Sequence, residues 1–306
     1  MIKKVIEISQ NGYYLSLKNK QMIMTPKSSD DSESRSFPCE DIGLLVLDNP
    51  QITITQSLCS FLLSQGTAII FCDKTHMPCA LSLPFSKNTE LALRLEDQLS
   101  ASVPVQKSLW KQIIQAKISA QANQLKHAPQ IQQRLRAIKT QVLSGDKSNA
   151  ESQAARLYWV NWLGYKFKRD MKSRDEINSM LNYGYAILRS CVARAIVSAG
   201  LMPQISLFHC HRSNPYPLAD DLMEPFRPMI DNIVSDLCKM GILGISPQTK
   251  SYLLKLPQMT VVQKGKIGPF LAVLPRYIQS YIRCLQKRQS KLEIPVAYTS
   301  ETIKQA

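Results

Sequence analysis

The hydrophobic period of this chain changes near residue 85, and that change constrains the fold more than any other feature. Up to that point, short segments either alternate apolar and polar residues or are almost wholly apolar, which is typical of strands. Beyond it, apolar residues recur at three- and four-residue spacing over long segments, which is typical of helices. The sequence therefore predicts an α+β protein, with a small N-terminal β-domain at 1–85 and a larger all-α C-terminal domain at 86–306.

Individual elements follow from the same pattern. Strands are predicted at 5–8, 13–18, 21–25, 42–47 and 67–72, with a helix at 55–64. The runs at 42–47 and 67–72 are almost wholly apolar, as in strands covered on both faces. The polar segment at 27–36 is predicted to be a mobile loop. Helices are predicted at 109–125, 131–142, 146–162 and 176–199.

The lengths of the apolar runs and the spacing of the cysteines indicate the cellular compartment of such a chain. No run reaches the roughly 18 apolar residues that a membrane-spanning helix needs, and the first residues lack the apolar length of a signal peptide. The eight cysteines are scattered and form no C-x-x-C pair, which favours reduced thiols over disulfides or a zinc ribbon. We therefore expect a cytoplasmic protein without membrane contact.

Positive charge is concentrated in one part of the chain. The formal net charge is +15, but residues 1–100 have a balance of −2 and residues 101–306 a balance of +17. Two stretches, 98–145 and 237–292, contain no acidic side chain. A solvated helix face is the ordinary explanation of one basic run, yet such faces normally mix signs because i,i+4 ion pairs stabilise them. Two acid-free stretches favour binding to a polyanion, most simply nucleic acid.

The few acidic residues of the basic region are clustered. Glu151 lies in an otherwise basic and apolar helix, and Asp220, Asp221, Glu224 and Asp231 surround a motif that begins at His209. Asp220 and Glu224 share a face of a predicted helix, where a cation between them would relieve their repulsion. An imidazole with two or three carboxylates suits Mg²⁺ or Mn²⁺ better than Zn²⁺. A salt bridge for Glu151 and a capped or core position for His209 remain the alternatives.

Aromatic residues near Glu151 have two interpretations. Tyr158, Trp159 and Trp162 could pack in the core or offer stacking platforms to nucleic-acid bases. Core packing is the interpretation that we favour.

Several long motifs resemble one known family. They are Asp146-x-x-Asn149-x-Glu151-x-x-Ala154-Ala155-Arg156-x-Tyr158-Trp159, the segment 181–190 (LNYGYAILRS) and the segment 218–228 (LADDLMEPFRP). Segments 42–47, 72–78 and 109–118 extend the likeness over the whole chain. The sequence is similar to the CRISPR-associated integrase of the spacer-acquisition module, the "Cas-one" family, in its type II form. This resemblance implies a metal-dependent DNA endonuclease and integrase of CRISPR adaptation, which inserts short spacer DNA into the repeat array by 3′-OH transesterification.

The resemblance also implies site residues. Glu151, His209 and Glu224 would be the catalytic residues and the ligands of a Mg²⁺ or Mn²⁺ ion, with His211 as the alternative imidazole. Asn149, Asp220 and Asp221 would support these ligands. The DNA-binding candidates, which are the basic residues of the acid-free stretch and of the motif, are Lys264, Lys266, Arg283, Lys287, Arg288, Arg212 and Arg227.

Partners are implied by the resemblance as well. They are double-stranded DNA (the spacer precursor and the CRISPR repeat), a second copy of the chain that pairs through the β-domain, and a dimer of the small "Cas-two" protein that completes a heterohexamer. Other type II CRISPR proteins are further candidates. A non-catalytic scaffold that only grips nucleic acid and a simple nuclease that never joins strands are the rival hypotheses.

Overall fold

The computed structural model describes residues 3–27, 33–84, 88–165, 167–209 and 212–298. The N-terminal part contains, in chain order, β1 (Lys4–Ile8), β2 (Tyr13–Lys18), β3 (Gln21–Pro26), β4 (Arg35–Pro38), β5 (Ile42–Leu47), β6 (Thr53–Ile54), α1 (Gln56–Ser64), β7 (Ala68–Cys72) and β8 (Pro78–Ser82). The remainder contains α2 (Leu91–Leu99), α3 (Val103–Gln124), α4 (Pro129–Thr140), α5 (Ala150–Asn161), α6 (Glu176–Ser198), α7 (Pro217–Met223), α8 (Arg227–Lys239), α9 (Pro247–Leu253), β9 (Thr260–Gln263), β10 (Lys266–Pro269), α10 (Phe270–Leu285) and β11 (Val296–Ala297).

Two four-stranded sheets form the N-terminal region. One has the order β1-β5-β7-β8, in which β1, β5 and β7 run parallel and β8 is antiparallel to β7. The other has the order β4-β3-β2-β6 and contains the β2–β3 hairpin. Asn19 and Lys20 turn this hairpin, with φ of 51° and 61°. Positive φ at both central residues is what a type I′ turn requires.

Strand β5 connects the sheets to the helices. All six of its residues are buried, which confirms the prediction of a strand covered on both faces. Leu45 and Leu47 pack into the core between the two sheets, whereas Leu44 and Val46 pack into the core of the helical region. The first sheet is therefore attached to the helices by a continuous apolar interface.

Helix α6 is the centre of the helical region and agrees closely with the predicted helix at 176–199. The Asp175 carboxylate caps it by accepting a hydrogen bond from the amide of Asn178, at 2.9 Å. At Gly184 an added Cβ would lie 2.5 Å from Cγ2 of Ile230, so only glycine allows α8 to approach this closely. That approach brings Asp231 of α8 to Tyr185 of α6.

The helical region also contains a small sheet that the all-α prediction missed. Strands β10, β9 and β11 form it, all pairs being antiparallel. Lys264 and Gly265 turn the β9–β10 hairpin with φ of 48° and 72°, again as in a type I′ turn. The fold is otherwise the predicted one, an N-terminal β-region followed by a helical region.

Two predicted features lie partly or wholly outside the described residues. Part of the predicted loop at 27–36, residues 28–32, lies outside them, but Arg35 and Ser36 pair with β3 as part of β4, so the loop prediction is wrong for these two. The predicted boundary at 85/86 also lies outside the described residues and stays a prediction. Within the described ranges, the cysteines are free thiols, and no helix is both long and apolar enough to cross a membrane.

Candidate active site

Helix α5 presents Glu151 in its first turn, and an acid outside the helix fixes that turn. Asp146, which the sequence placed at the helix start, lies four residues before it. Its carboxylate oxygens accept hydrogen bonds from the amides of Ala150 at 2.8 Å and Glu151 at 3.0 Å. These amides are among the orphan donors of a helix N-terminus, so Asp146 acts as the cap and holds the backbone of Glu151 in place.

Lys117 of α3 joins the two candidate glutamates. Its Nζ lies 2.6 Å from Oε1 of Glu151 and 2.6 Å from Oε2 of Glu224. The residue is only 9% exposed, on the buried face of α3. Burial by itself would lower the pKa of this ammonium, but the charges of Glu224 and Glu151 outweigh burial and raise it.

Arg227 is the second cation of the site. Its Nε donates to Oε1 of Glu224 at 2.7 Å, and its guanidinium lies 4.7 Å from the ring centroid of Tyr185. Burial favours the neutral form of Glu224, but the charges of Arg227 and Lys117 prevail and lower its pKa to about 2. Glu224 is therefore an anion at neutral pH despite its burial.

A buried hydrogen-bond network lies behind Arg227. The Asp231 carboxylate accepts hydrogen bonds from the hydroxyls of Tyr158, at 2.9 Å, and Tyr185. Burial raises the pKa of Asp231 to about 7, although both hydroxyls oppose that rise. This network joins α5, α6 and α8 directly beneath the site.

His209 is oriented by Asp221. The fully buried Asp221 carboxylate lies 2.7 Å from Nδ1 of His209 and accepts hydrogen bonds from the amides of Leu207 at 2.9 Å and Phe208 at 2.7 Å. The Trp110 ring packs edge-on against the imidazole, with a centroid distance of 4.8 Å. With Nδ1 engaged, Nε2 is the imidazole nitrogen left for a ligand.

The donor set suits a divalent ion, although the donors do not converge. A histidine whose Nδ1 is held by a carboxylate is the usual arrangement of a metal-binding imidazole. Oε2 of Glu224 is buried. It forms an ion pair with Lys117 but no well-aligned hydrogen bond. Among the described residues, however, no three His, Cys, Asp or Glu side chains lie close enough together to hold a metal. The ammonium of Lys117 separates the two glutamates.

Two of the predicted supporting residues lie away from this centre. Asp220 pairs with Nε of Arg189 at 2.6 Å and with Nδ2 of Asn214 at 2.7 Å. The cation expected between Asp220 and Glu224 is thus replaced by separate cations for each. Asn149 is exposed, in a left-handed conformation with φ of 52°, and its side chain makes no capping hydrogen bond. His211 lies outside the described residues.

The candidate DNA-binding residues divide into exposed and paired groups. Lys264 and Arg283 both contact Oε1 of Glu293, at 2.7 and 2.8 Å. Glu293 is the first acidic residue after the acid-free stretch 237–292. Arg227 is engaged with Glu224 and Tyr185. Lys264 is exposed despite its ion pair with Glu293, and the other exposed members are Arg212, Lys266, Lys287 and Arg288.

Lys117 belongs to the acid-free stretch 98–145, whose basic side chains were expected at the surface, and for this lysine that expectation is wrong. The signal that could have identified it is its position, because Ile113, Ile114, Lys117 and Ile118 share the buried stripe of α3. For the aromatic residues, the favoured core interpretation is confirmed. Tyr158 and Trp162 are buried, and Trp159 packs edge-on against both.

Comparison with known proteins gives the family. The family model described as "CRISPR associated protein Cas1" matches residues 6–255, most of the chain. The chain belongs to the Cas1 family. A curated relative, the CRISPR-associated endonuclease Cas1 of Neisseria meningitidis serogroup C (strain 8013), is 34% identical over 296 residues, which cover 94% of each chain. The resemblance stated from the motifs is confirmed.

Solved structures share the Cas1-family fold. A casposase bound to an integration product superimposes with a TM-score of 0.78 at 19% identity, covering 99% of this chain and 98% of the casposase. A chain of a Cas6-RT-Cas1–Cas2 complex superimposes with a TM-score of 0.73 at 17% identity, covering 97% of this chain and 36% of that one. At these identities the likeness shows a common fold.

Proposed function

We propose that this protein is a divalent-metal-dependent DNA endonuclease and integrase of type II CRISPR adaptation, which inserts short spacer DNA into the repeat array by 3′-OH transesterification. The observation that carries the proposal is that the carboxylates of Glu151 and Glu224 both contact the buried ammonium of Lys117, in a Cas1-family chain. The casposase, a structural neighbour, was solved with an integration product, which supports strand joining as the chemistry.

Glu151, Glu224 and Nε2 of His209 would hold the ion, Mg²⁺ or Mn²⁺, since oxygen-rich sets with one imidazole suit these metals. The ion would stabilise the charge that develops on the phosphodiester and activate the attacking hydroxyl. The chain's own residues supply the positioning. Asp221 fixes the imidazole ring and Arg227 fixes the Glu224 carboxylate.

DNA would reach this site over the basic helical region. Arg212, Lys266, Lys287 and Arg288 are exposed cations and are the candidates for phosphate contacts. Phosphate contacts position the duplex without reading its sequence. The spacer precursor and the CRISPR repeat are the substrates that we propose.

We propose that the N-terminal region forms the contacts between copies of the chain. Residues 1–100 have a charge balance of −2, so the N-terminal region suits protein contacts, and we propose that two copies pair through the β-domain at 1–85 as a homodimer. Two such dimers would flank a dimer of the "Cas-two" protein in a cytoplasmic heterohexamer, and other type II CRISPR proteins would help to select DNA. The Cas1–Cas2 complex among the structural neighbours supports the choice of this partner.

Substitution of the glutamates tests the catalytic assignment. Glu151→Gln and Glu224→Gln should each reduce strand transfer into a repeat-containing plasmid by at least about 100-fold, because each removes an anionic ligand. Glu96→Gln, an exposed glutamate of α2, is the matched control and should retain full activity.

The same assay separates the rival functions. Retained strand transfer in both variants would establish that the glutamates are not catalytic. A wild-type protein that binds DNA but neither cuts nor joins it would be a scaffold, and one that yields only cut strands would be a nuclease.

A further inference from the structure

We propose that Lys117 competes with the divalent ion for the space between Glu151 and Glu224. In the metal-free protein the Lys117 ammonium holds the two carboxylates together, and it must leave that space when the ion binds. The inference rests on the proposed function, because it takes these two glutamates as ligands. It goes beyond that function in giving a residue of α3 control over metal affinity.

The position of the ammonium is the first argument. Nζ lies at 2.6 Å from a carboxylate oxygen of each glutamate, so it occupies the point on which both converge. An ion bound by both carboxylates would need that same space, at oxygen distances of about 2.0–2.2 Å. The ammonium and the ion therefore exclude each other.

Charge balance is the second argument. The two glutamates are matched by the two cations that contact them, Lys117 and Arg227. The metal-free centre is thus electrically balanced, and a divalent ion would add two uncompensated charges while Lys117 remains. Removal of Lys117 would leave one negative charge, which attracts the ion.

The chemistry of the lysine side chain is the third argument, because it allows displacement of the ammonium. A lysine has four flexible methylenes and a single compact charge, so its ammonium can change partner without a change in the helix. A DNA phosphate that arrives with the substrate would offer the displaced ammonium a new anion. Metal and DNA should consequently bind with positive coupling.

Direct metal titration tests the proposal without reference to activity. We expect Lys117→Met to bind Mn²⁺ at least about tenfold more tightly than the wild type in the absence of DNA, as measured by calorimetry or electron paramagnetic resonance. Lys111→Met, a partly buried lysine of the same helix, is the matched control and should leave the affinity unchanged. DNA should increase Mn²⁺ affinity in the wild type by a larger factor than in Lys117→Met.

A second measurement uses the wild type and stays informative if Lys117→Met does not fold. Reductive methylation followed by peptide mass spectrometry should show Lys117 protected in EDTA and at least about threefold more reactive with saturating Mn²⁺, because displacement exposes the amine. Lys111 is the internal reference.

The outcomes separate the two hypotheses. If wild-type Mn²⁺ binding depends on Glu151 but Lys117→Met binds with unchanged or weaker affinity, or Lys117 stays protected with Mn²⁺, the competition is absent while the proposed function stands. If neither protein binds Mn²⁺ and Glu151→Gln retains strand transfer, the proposed function itself is wrong.

Discussion

At the scale of single residues, the pairing of His209 with Asp221 has a consequence for pH. The hydrogen bond to Asp221 raises the pKa of His209 above its usual value near 6.5, and the nearby carboxylates add to that rise. The pair therefore stabilises the folded metal-free protein below about pH 6.5, and this contribution is lost as the pH rises through the pKa of the folded state.

Asp221→Asn should lower the pKa of His209, because the amide removes the charge while keeping the shape. Histidine ring resonances followed by NMR between pH 5 and 9 measure the shift, with the other histidines as internal references. The same change should reduce activity by about 10- to 100-fold, as is usual when the carboxylate behind a metal-binding histidine is lost. An unaltered titration would mean that Asp221 has only a structural role in the loop.

At the scale of elements, α8 is pinned to α5 and α6 by the buried carboxyl of Asp231. Because burial raises its pKa to about 7, the folded protein holds a proton there that the unfolded chain has released, between about pH 4 and 7. Because the pKa of this carboxyl is higher in the folded than in the unfolded state, the stability of the fold decreases as the pH rises through this window.

Asp231→Asn should remove this pH dependence, in which the free energy of unfolding of the wild type decreases by about 1.4 kcal/mol for each pH unit within the window. Urea unfolding at several pH values measures it as the difference between variant and wild type. Asp236→Asn, on the same helix but only half-buried and paired with Lys239, should leave the pH dependence of the wild type unchanged. Parallel stability curves for the wild type and Asp231→Asn would contradict the assignment.

At the scale of the whole molecule, one buried ion pair joins the sheets to the helices. Lys250 of α9 contacts Asp48, the residue after β5, and both are almost fully buried. His76 contacts the same carboxylate at 3.1 Å. We expect this pair to specify how the two regions dock, because either charge alone would be buried without compensation.

Lys250→Met should destabilise the protein by about 3–5 kcal/mol, and adding Asp48→Asn should recover much of that loss. Urea unfolding of the wild type, both single variants and the double variant gives the coupling energy. Additive effects of the two substitutions would show that the pair does not determine docking.

The basic surface also belongs to the molecular scale. Replacing Lys266, Lys287 and Arg288 together by glutamine should weaken DNA binding for all sequences and lower the slope of log K against log salt by about one for each lost contact. A charge-matched control replaces Lys18, Lys20 and Lys74, which are exposed in the N-terminal region. A larger change in slope for this control would place the DNA on the other region.

The sequence by itself determined the α+β order, the main helices, the strand buried on both faces and the family, because periodicity and contiguous motifs are properties of neighbouring residues. It missed the β9–β10 hairpin, whose Lys264-Gly265 turn is a weak local signal.

Only the tertiary structure decided which charges meet. It placed Lys117 between Glu151 and Glu224, turned Asp220 to Arg189 and gave Lys264 and Arg283 the partner Glu293. The physical reason is that charge pairing depends on distance in space, and Lys117 lies more than thirty residues from Glu151 and more than a hundred from Glu224 along the chain. Counting charges therefore predicted a polyanion partner, whereas packing decided that this lysine would face two carboxylates.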